Sequence, residues 1–189
     1  EAIDAAAGIT KWKRNREEVT SWASPLIVED GARAQVVVAG TDRVRAYDLE
    51  TGDVLWKCGG LSANVVATPV AADGILIAAS SYDTRAMLAI SMHGASGDIT
   101  GSKHQLWSTT QRTPYVPSML LVEDQVYCLR HYQNILSRRH IRTGVESAGP
   151  FRLSGIQNIY ASPVAAKGRI YVTDLDGRTL VFTHDDQPE

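Results

Sequence analysis

The stretch Tyr47-Asp48-Leu49-Glu50-Thr51-Gly52-Asp53-Val54-Leu55-Trp56 decides the fold. It reads as the end of one strand, a tight turn at Thr51-Gly52, and a second strand carrying an indole. Glycine in such a turn supplies a positive φ at little cost. An aspartate at the turn entry can accept the backbone N–H groups that the turn exposes. The same order recurs upstream: Ala2-Ile3-Asp4, Gly8 and Trp12 each stand 44 residues before Ala46-Tyr47-Asp48, Gly52 and Trp56. Downstream, Trp107 follows Trp56 by 51 residues, with an insertion between Met92 and Gln105, and Thr143-Gly144 follows Thr51-Gly52 by 92.

A second marker keeps the same phase. Ala23-Ser24-Pro25-Leu26, Ala67-Thr68-Pro69-Val70 and Ala161-Ser162-Pro163-Val164 are alike, and Met119 occupies the proline slot of a fourth copy. Between the markers lie short β-branched and aromatic runs bounded by turn residues: Leu26–Val28, Gln35–Ala39, Val44–Tyr47 and Val54–Lys57,. Four short antiparallel strands in each 40–50 residues are the pattern of a propeller blade. The expectation is therefore an all-β propeller of four-stranded antiparallel blades, about four in this chain. The blades end near residues 13, 57, 108 and 148, with a partial last blade over 149–183, in one domain spanning 1–189. Such an arc is half of an eight-bladed ring or a fragment of a longer protein, set against a four-bladed ring in which the N-terminal strand completes the last blade. Arg14–Thr20, short and charged, is the one helix candidate.

Composition narrows the class. Of 189 residues, 44% are apolar and 21% charged, with a formal net charge of −2, which is an ordinary globular balance,. That charge provides no electrostatic footprint for nucleic acid, and no apolar run is long enough to span a bilayer. Cys58 and Cys128 are too few for a disulfide scaffold,, and are expected as buried free thiols, set against a Cys58–Cys128 disulfide or a redox role.

Each repeat residue has a structural role to fill. Trp12, Trp56 and Trp107 are expected to dock into the gaps between blades, on turns built by Asp4 with Gly8 and by Asp48 with Gly52. The fourth repeat departs from the pattern: His140 stands in the aspartate slot and Ala148 in the tryptophan slot, which predicts a less well anchored interface. Arg138, Arg139, His140 and Arg142 read as a solvated blade edge or as an anion or partner site.

Ligand candidates come from register. Thr20, Asn64, Pro114 and Asn158 lie five residues before the proline slot, and Trp22, Val66, Val116 and Tyr160 three before it. Trp22, Asn64, Arg112, Tyr115, Asn158 and Tyr160 are the candidate ligand or channel face, because aromatic rings with amides suit a glycan, a quinone or a peptide edge. The alternative is that they cap inner strands. His93, Asp98 and His104 in the insertion are a candidate metal set, set against a solvent-facing hairpin loop. No hydrolase, P-loop or dinucleotide motif is present.

Tyr47 to Trp56, Gly168-Arg169-Ile170-Tyr171-Val172 and Asp176-Gly177 resemble the tryptophan-docking repeat of the PQQ-like β-propellers. That family includes quinoprotein dehydrogenases and the outer-membrane assembly lipoprotein BamB. Ser96-Gly97-Asp98-Ile99-Thr100, Leu106-Trp107 and Pro114-Tyr115-Val116-Pro117-Ser118 resemble PQQ-like repeat proteins common in planctomycete-type bacteria. The resemblance implies a non-catalytic binding or scaffolding module outside the cytoplasm, periplasmic or secreted. It would hold a protein partner or a small-molecule or glycan ligand, and two chains could close one ring as a homodimer. It also implies two alternatives: a PQQ-dependent oxidoreductase using calcium, or a PQQ-binding remnant; and a sensor domain of a larger membrane-anchored protein. The vicinal cysteine pair of the alcohol dehydrogenases is missing, so no catalytic residue and no cofactor are expected.

Overall fold

A computed structural model describes residues 1–31 and 33–184. The described residues form no helix. Strands β1 (Ala2–Ile3) and β2 (Thr10–Trp12) pair as a two-stranded sheet. After β3 (Thr20–Ser21) come β4 (Leu26–Asp30), β5 (Arg33–Gly40), β6 (Arg43–Asp48) and β7 (Val54–Gly59), the second blade. The third follows β8 (Asn64–Val65) and contains β9 (Val70–Ala72), β10 (Ile75–Ser80), β11 (Ala86–Ser91) and, beyond the short β12 (Gly97–Asp98), β13 (Gln105–Thr109). The fourth is β14 (Leu120–Val122), β15 (Gln125–Leu129), β16 (Ile135–His140) and β17 (Glu146–Arg152), and the fifth sheet is β18 (Val164–Ala166), β19 (Arg169–Thr173) and β20 (Thr179–Thr183). Within each blade the strands run antiparallel in sequence order.

The core lies between blades. One apolar cluster joins Val37, Val44 and Trp56 to Leu76, Leu88 and Ile90; a second joins Ile77 and Met87 to Val126 and Cys128. A third joins Tyr127, Leu129 and Leu136 to Ile170, Val172 and Phe182. Blade three is covered on both faces, so β10 is buried at every position and reads as a continuous apolar run,. On the fifth sheet the face away from the core leaves Val164 and Val181 exposed.

Two devices hold neighbouring blades in register. Trp12 packs on the second blade's turn: its Nε1–H donates to the Leu49 carbonyl at 2.8 Å, and a Cβ at Gly52 (φ +71°) would lie 2.5 Å from its ring. Trp107 does the same one interface later, donating to the Ile141 carbonyl at 2.8 Å over Gly144. Asp4 Oδ1 accepts from the Ala6 and Ala7 N–H groups, and Asp48 Oδ1 from those of Glu50 and Thr51. These bonds hold both carboxyls below their usual range, chiefly the bonds from Ala7 and Thr51,. The second device is a relay at the inner strands. Ser24 N–H donates to Thr68 Oγ1 (3.1 Å), Thr68 N–H to Ser118 Oγ (2.9 Å) and Ser118 N–H to Ser162 Oγ (2.9 Å). Thr68, Ser118 and Ser162, each just before a proline slot, therefore satisfy a backbone donor of the preceding blade.

Four readings change. Arg14–Thr20 is no helix: it is irregular until β3, where Glu18 pairs with Arg45 and Arg16. Trp56 finds its acceptor inside its own blade, Gln35 Oε1 at 2.9 Å. The next turn is replaced by the insertion, and Gly97 has no atom near its Cβ position. That insertion is no solvent-facing hairpin. It folds back, buries Ile99, and adds β12 in parallel to β7, with Ile99 N–H donating to the Lys57 carbonyl and Gly59 N–H to Thr100 Oγ1. An outer strand with unpaired backbone groups is thereby covered. Finally, His140 performs the aspartate's task, its Nδ1 accepting from Arg142 N–H at 3.2 Å, so the Trp107 interface is anchored; at the next interface, where Ala148 holds the tryptophan slot, no ring seats over Gly177 among the described residues.

Candidate functional site

Antiparallel order dictates which loops share a face. Each innermost strand begins, and each second strand ends, on one side of the ring. The connections between blades and the loops joining second to third strands therefore meet there. Hydrogen bonds tie them together: Leu61 N–H to the Asp42 carbonyl, Ala63 N–H to Asp83 Oδ1, His131 N–H to the Thr113 carbonyl and Ile159 N–H to the Tyr132 carbonyl.

Across blades three to five this face carries a row of rings. Tyr82 and Tyr115 have centroids 6.0 Å apart, Tyr115 and His131 6.2 Å, His131 and Tyr132 6.3 Å, and Tyr132 stacks on Tyr160 at 5.1 Å and 10°. Four of the chain's seven tyrosines stand in this row, so it is a concentration of large amphipathic rings rather than scattered exposure. Tyr82 is 61% exposed, Tyr132 39% and Tyr160 41%. Beside the row, Arg85, Thr110, Gln111, Arg112 and Arg130 line a cleft of about 350 Å³. Arg112 pairs with Glu146 at 2.7 Å, and the same carboxylate oxygen lies 4.0 Å from Arg139. Burial, and then the charges of Arg85 and Arg130, hold His131 below the usual imidazole range,.

Of the residues expected on this face, Tyr115 and Tyr160 join the row and Arg112 lines the cleft. Asn64 pairs in parallel register with Thr20, and its Oδ1 is buried without a partner among the described residues. Asn158 sits at φ +51° and its carbonyl accepts Leu175 N–H at 3.3 Å. Trp22 is 69% exposed and makes no ring contact among the described residues. Tyr82, Arg85, Arg130, His131 and Tyr132 were missed. They lie on second-to-third-strand loops, and laying Ser81-Tyr82 over His131-Tyr132 by strand order would have exposed them.

His93, Asp98 and His104 do not converge. His93 meets Asp30 at 3.2 Å, Asp98 meets Lys57 at 3.5 Å, and His104 Nδ1 lies 3.1 Å from the Ser91 carbonyl. No cluster of three His, Cys, Asp or Glu suited to a metal occurs among the described residues. The basic run divides: Arg138 donates to the His184 carbonyl, Arg139 is buried, and His140 faces Asp124 at 3.2 Å. Cys58 and Cys128 are free and buried, and burial raises both thiols.

These features define a PQQ-like propeller with a polar-aromatic loop face. A family model described as outer membrane protein assembly factor BamB matches residues 1–187, and the chain belongs to that family. No curated protein matches it. Among solved structures it is similar to BamB from Moraxella catarrhalis, with a TM-score of 0.65 and 16% identity over 98% of this chain and 52% of that one. The chain thus spans about half the length of that relative. The computationally designed Ika4 protein matches at TM-score 0.59 and 13% identity, over 89% of this chain and 99% of that one. The quinohemoprotein alcohol dehydrogenase ADHIIG from Pseudomonas putida HK5 matches at 0.55 and 16%, over 85% of this chain and 29% of that one. At these identities the likeness is one of fold.

Proposed function

We propose that the chain is a non-catalytic binding module that holds a protein partner on the loop face carrying Tyr82, Tyr115, His131, Tyr132 and Tyr160. The tyrosine row carries this reading. Tyrosine and arginine dominate the energetics of protein interfaces, because a rigid ring buries much area at small entropy cost and keeps a polar tip. A module named for outer-membrane assembly in its relatives acts outside the cytoplasm on this reading; no helix among the described residues is long and apolar enough to cross a membrane.

The test is capture from a cell-envelope extract by the immobilised wild-type chain and by the double variant Tyr132→Ala/Tyr160→Ala. The reading expects specific retention that the variant loses. Equal retention by both sinks it. A quinone cofactor with calcium fits this chain poorly. Of the acidic groups on or beside the face, Asp83 accepts from the Ala63 and Thr84 N–H groups, Asp174 from those of Gln157, Asp176 and Arg178, and Glu146 faces Arg112 and Arg139; among the described residues they form no group of three suited to a metal. Quenching of tryptophan fluorescence by micromolar PQQ with calcium, about the range of a real cofactor site, would revive the oxidoreductase reading.

We also propose that two arcs close one ring. Exposed Ile3 and Ile9 on the first sheet and its turn, together with exposed Val164 and Val181 on the fifth, leave apolar surface at both ends of the arc,. Light scattering should return twice 20.6 kDa; a monomer in dilute solution rejects closure by a second copy.

A further inference from the structure

The cationic cleft beside the tyrosine row has more charge than the described residues neutralise. Arg85 and Arg130 have no ion pair among the described residues, and Arg112 and Arg139 share the single carboxylate of Glu146. Arg85 and Arg130 belong to adjacent blades, on the loops that follow β10 and β15, so blade packing brings like charges to one cleft. Among the described residues no carboxylate lines the cleft, while Thr110 and Gln111 add a hydroxyl and an amide. Holding like charges together costs free energy that an anionic ligand returns. Guanidinium groups match carboxylates in plane and in donor spacing.

We propose that this cleft is a recognition subsite for carboxylate side chains of an acidic, extended segment of the partner protein, whose apolar groups lie along the tyrosine row. The inference rests on the binding-module reading and names the partner's chemistry. A peptide is favoured over an anionic polysaccharide for two reasons. The stacked pair Tyr132–Tyr160 occupies ring faces that a sugar would need. The mixture of tyrosine and arginine is that of a protein hot spot.

The experiment is fluorescence anisotropy with a labelled peptide of alternating Glu and Phe, its Lys/Phe counterpart, and heparin as the anionic glycan. The proteins are wild type, Arg85→Gln/Arg130→Gln, and Tyr132→Ala/Tyr160→Ala, each checked for fold by circular dichroism. The expected result is binding of the acidic peptide alone, weakened about tenfold or more by the arginine variant and by raised salt. Binding should also raise the His131 imidazole pKa, read by NMR, because an anion offsets the arginine field; the arginine variant should lose that rise. Equal affinity in wild type and arginine variant overturns the proposal, as does arginine-dependent binding of heparin without binding of the peptide. If the tyrosine variant loses envelope capture while the arginine variant keeps it, the subsite fails and the binding-module reading stands. If neither variant changes capture, both fail.

Discussion

Gly144→Ala tests the docking mechanism that joins the blades. Gly144 sits at φ +69°, and a Cβ there would lie 2.6 Å from Trp107 Cδ2 and 2.9 Å from Cγ. The ring must leave its seat. The left-handed backbone costs an alanine about 1–2 kcal/mol. Losing the 2.8 Å bond from Trp107 Nε1 to the Ile141 carbonyl costs about 1 kcal/mol. Exposing roughly a third of an indole of about 200 Å² costs about 1.5 kcal/mol more. The expected destabilisation is about 4 kcal/mol, the sum of these three contributions. Gly97→Ala is the internal control, since Gly97 has the same φ of +69° with no atom within 4 Å of its Cβ position; it should cost only the backbone share, about 1–2 kcal/mol. Urea unfolding followed by far-ultraviolet circular dichroism measures both. In a Trp107→Ala background, Gly144→Ala should fall to the control's cost, because the atoms it strikes are gone. Equal destabilisation by Gly144→Ala and Gly97→Ala would refute the docking argument, as would an undiminished cost in the Trp107→Ala background.

Three further outcomes follow from the same geometry. Ser118→Ala removes the acceptor of Thr68 N–H and should cost about 1–3 kcal/mol in the same unfolding assay, the penalty of an unsatisfied donor. Ile99→Ala empties a buried position under the insertion and should cost about 2–5 kcal/mol; hydrogen exchange should then quicken at Ile99 and Gly59, whose N–H groups join β12 and the residues just after it to β7. His131 is held below the usual imidazole range by burial and by Arg85 and Arg130. The unfolded chain therefore takes up this proton first as pH drops through about 6.5, so His131 contributes stability above that value that is lost below it. Arg130→Gln should raise the His131 midpoint in an NMR titration; an unmoved midpoint contradicts the assigned field.

Much of the architecture was legible because its causes are local. Asp48, Gly52 and Trp56 sit at spacings that a turn and a strand impose, and 44-residue phasing repeats them at Asp4, Gly8 and Trp12. The serine and threonine before each proline slot belong to the same signal, although their use as an inter-blade relay became visible only with the blades side by side. Two of the row's five rings were legible on the same grounds: Tyr115 and Tyr160 occupy connections whose register the proline slots announce. Tyr82, His131 and Tyr132 lie on loops with no marker of their own.

The chain alone therefore determined the short antiparallel strands of each repeat and the turns between them, since backbone dihedrals and apolar alternation act over a handful of residues. Only the tertiary structure decided where the insertion goes, because covering the β7 edge depends on backbone groups some forty residues away. It also decided that Trp56 bonds to Gln35 rather than to the next turn, and that His93, Asp98 and His104 take separate partners. The gathering of Arg85 with Arg130 is of the same kind. A blade's neighbours, unlike its period, are set by how whole sheets pack, and that contact has no fixed spacing along the chain.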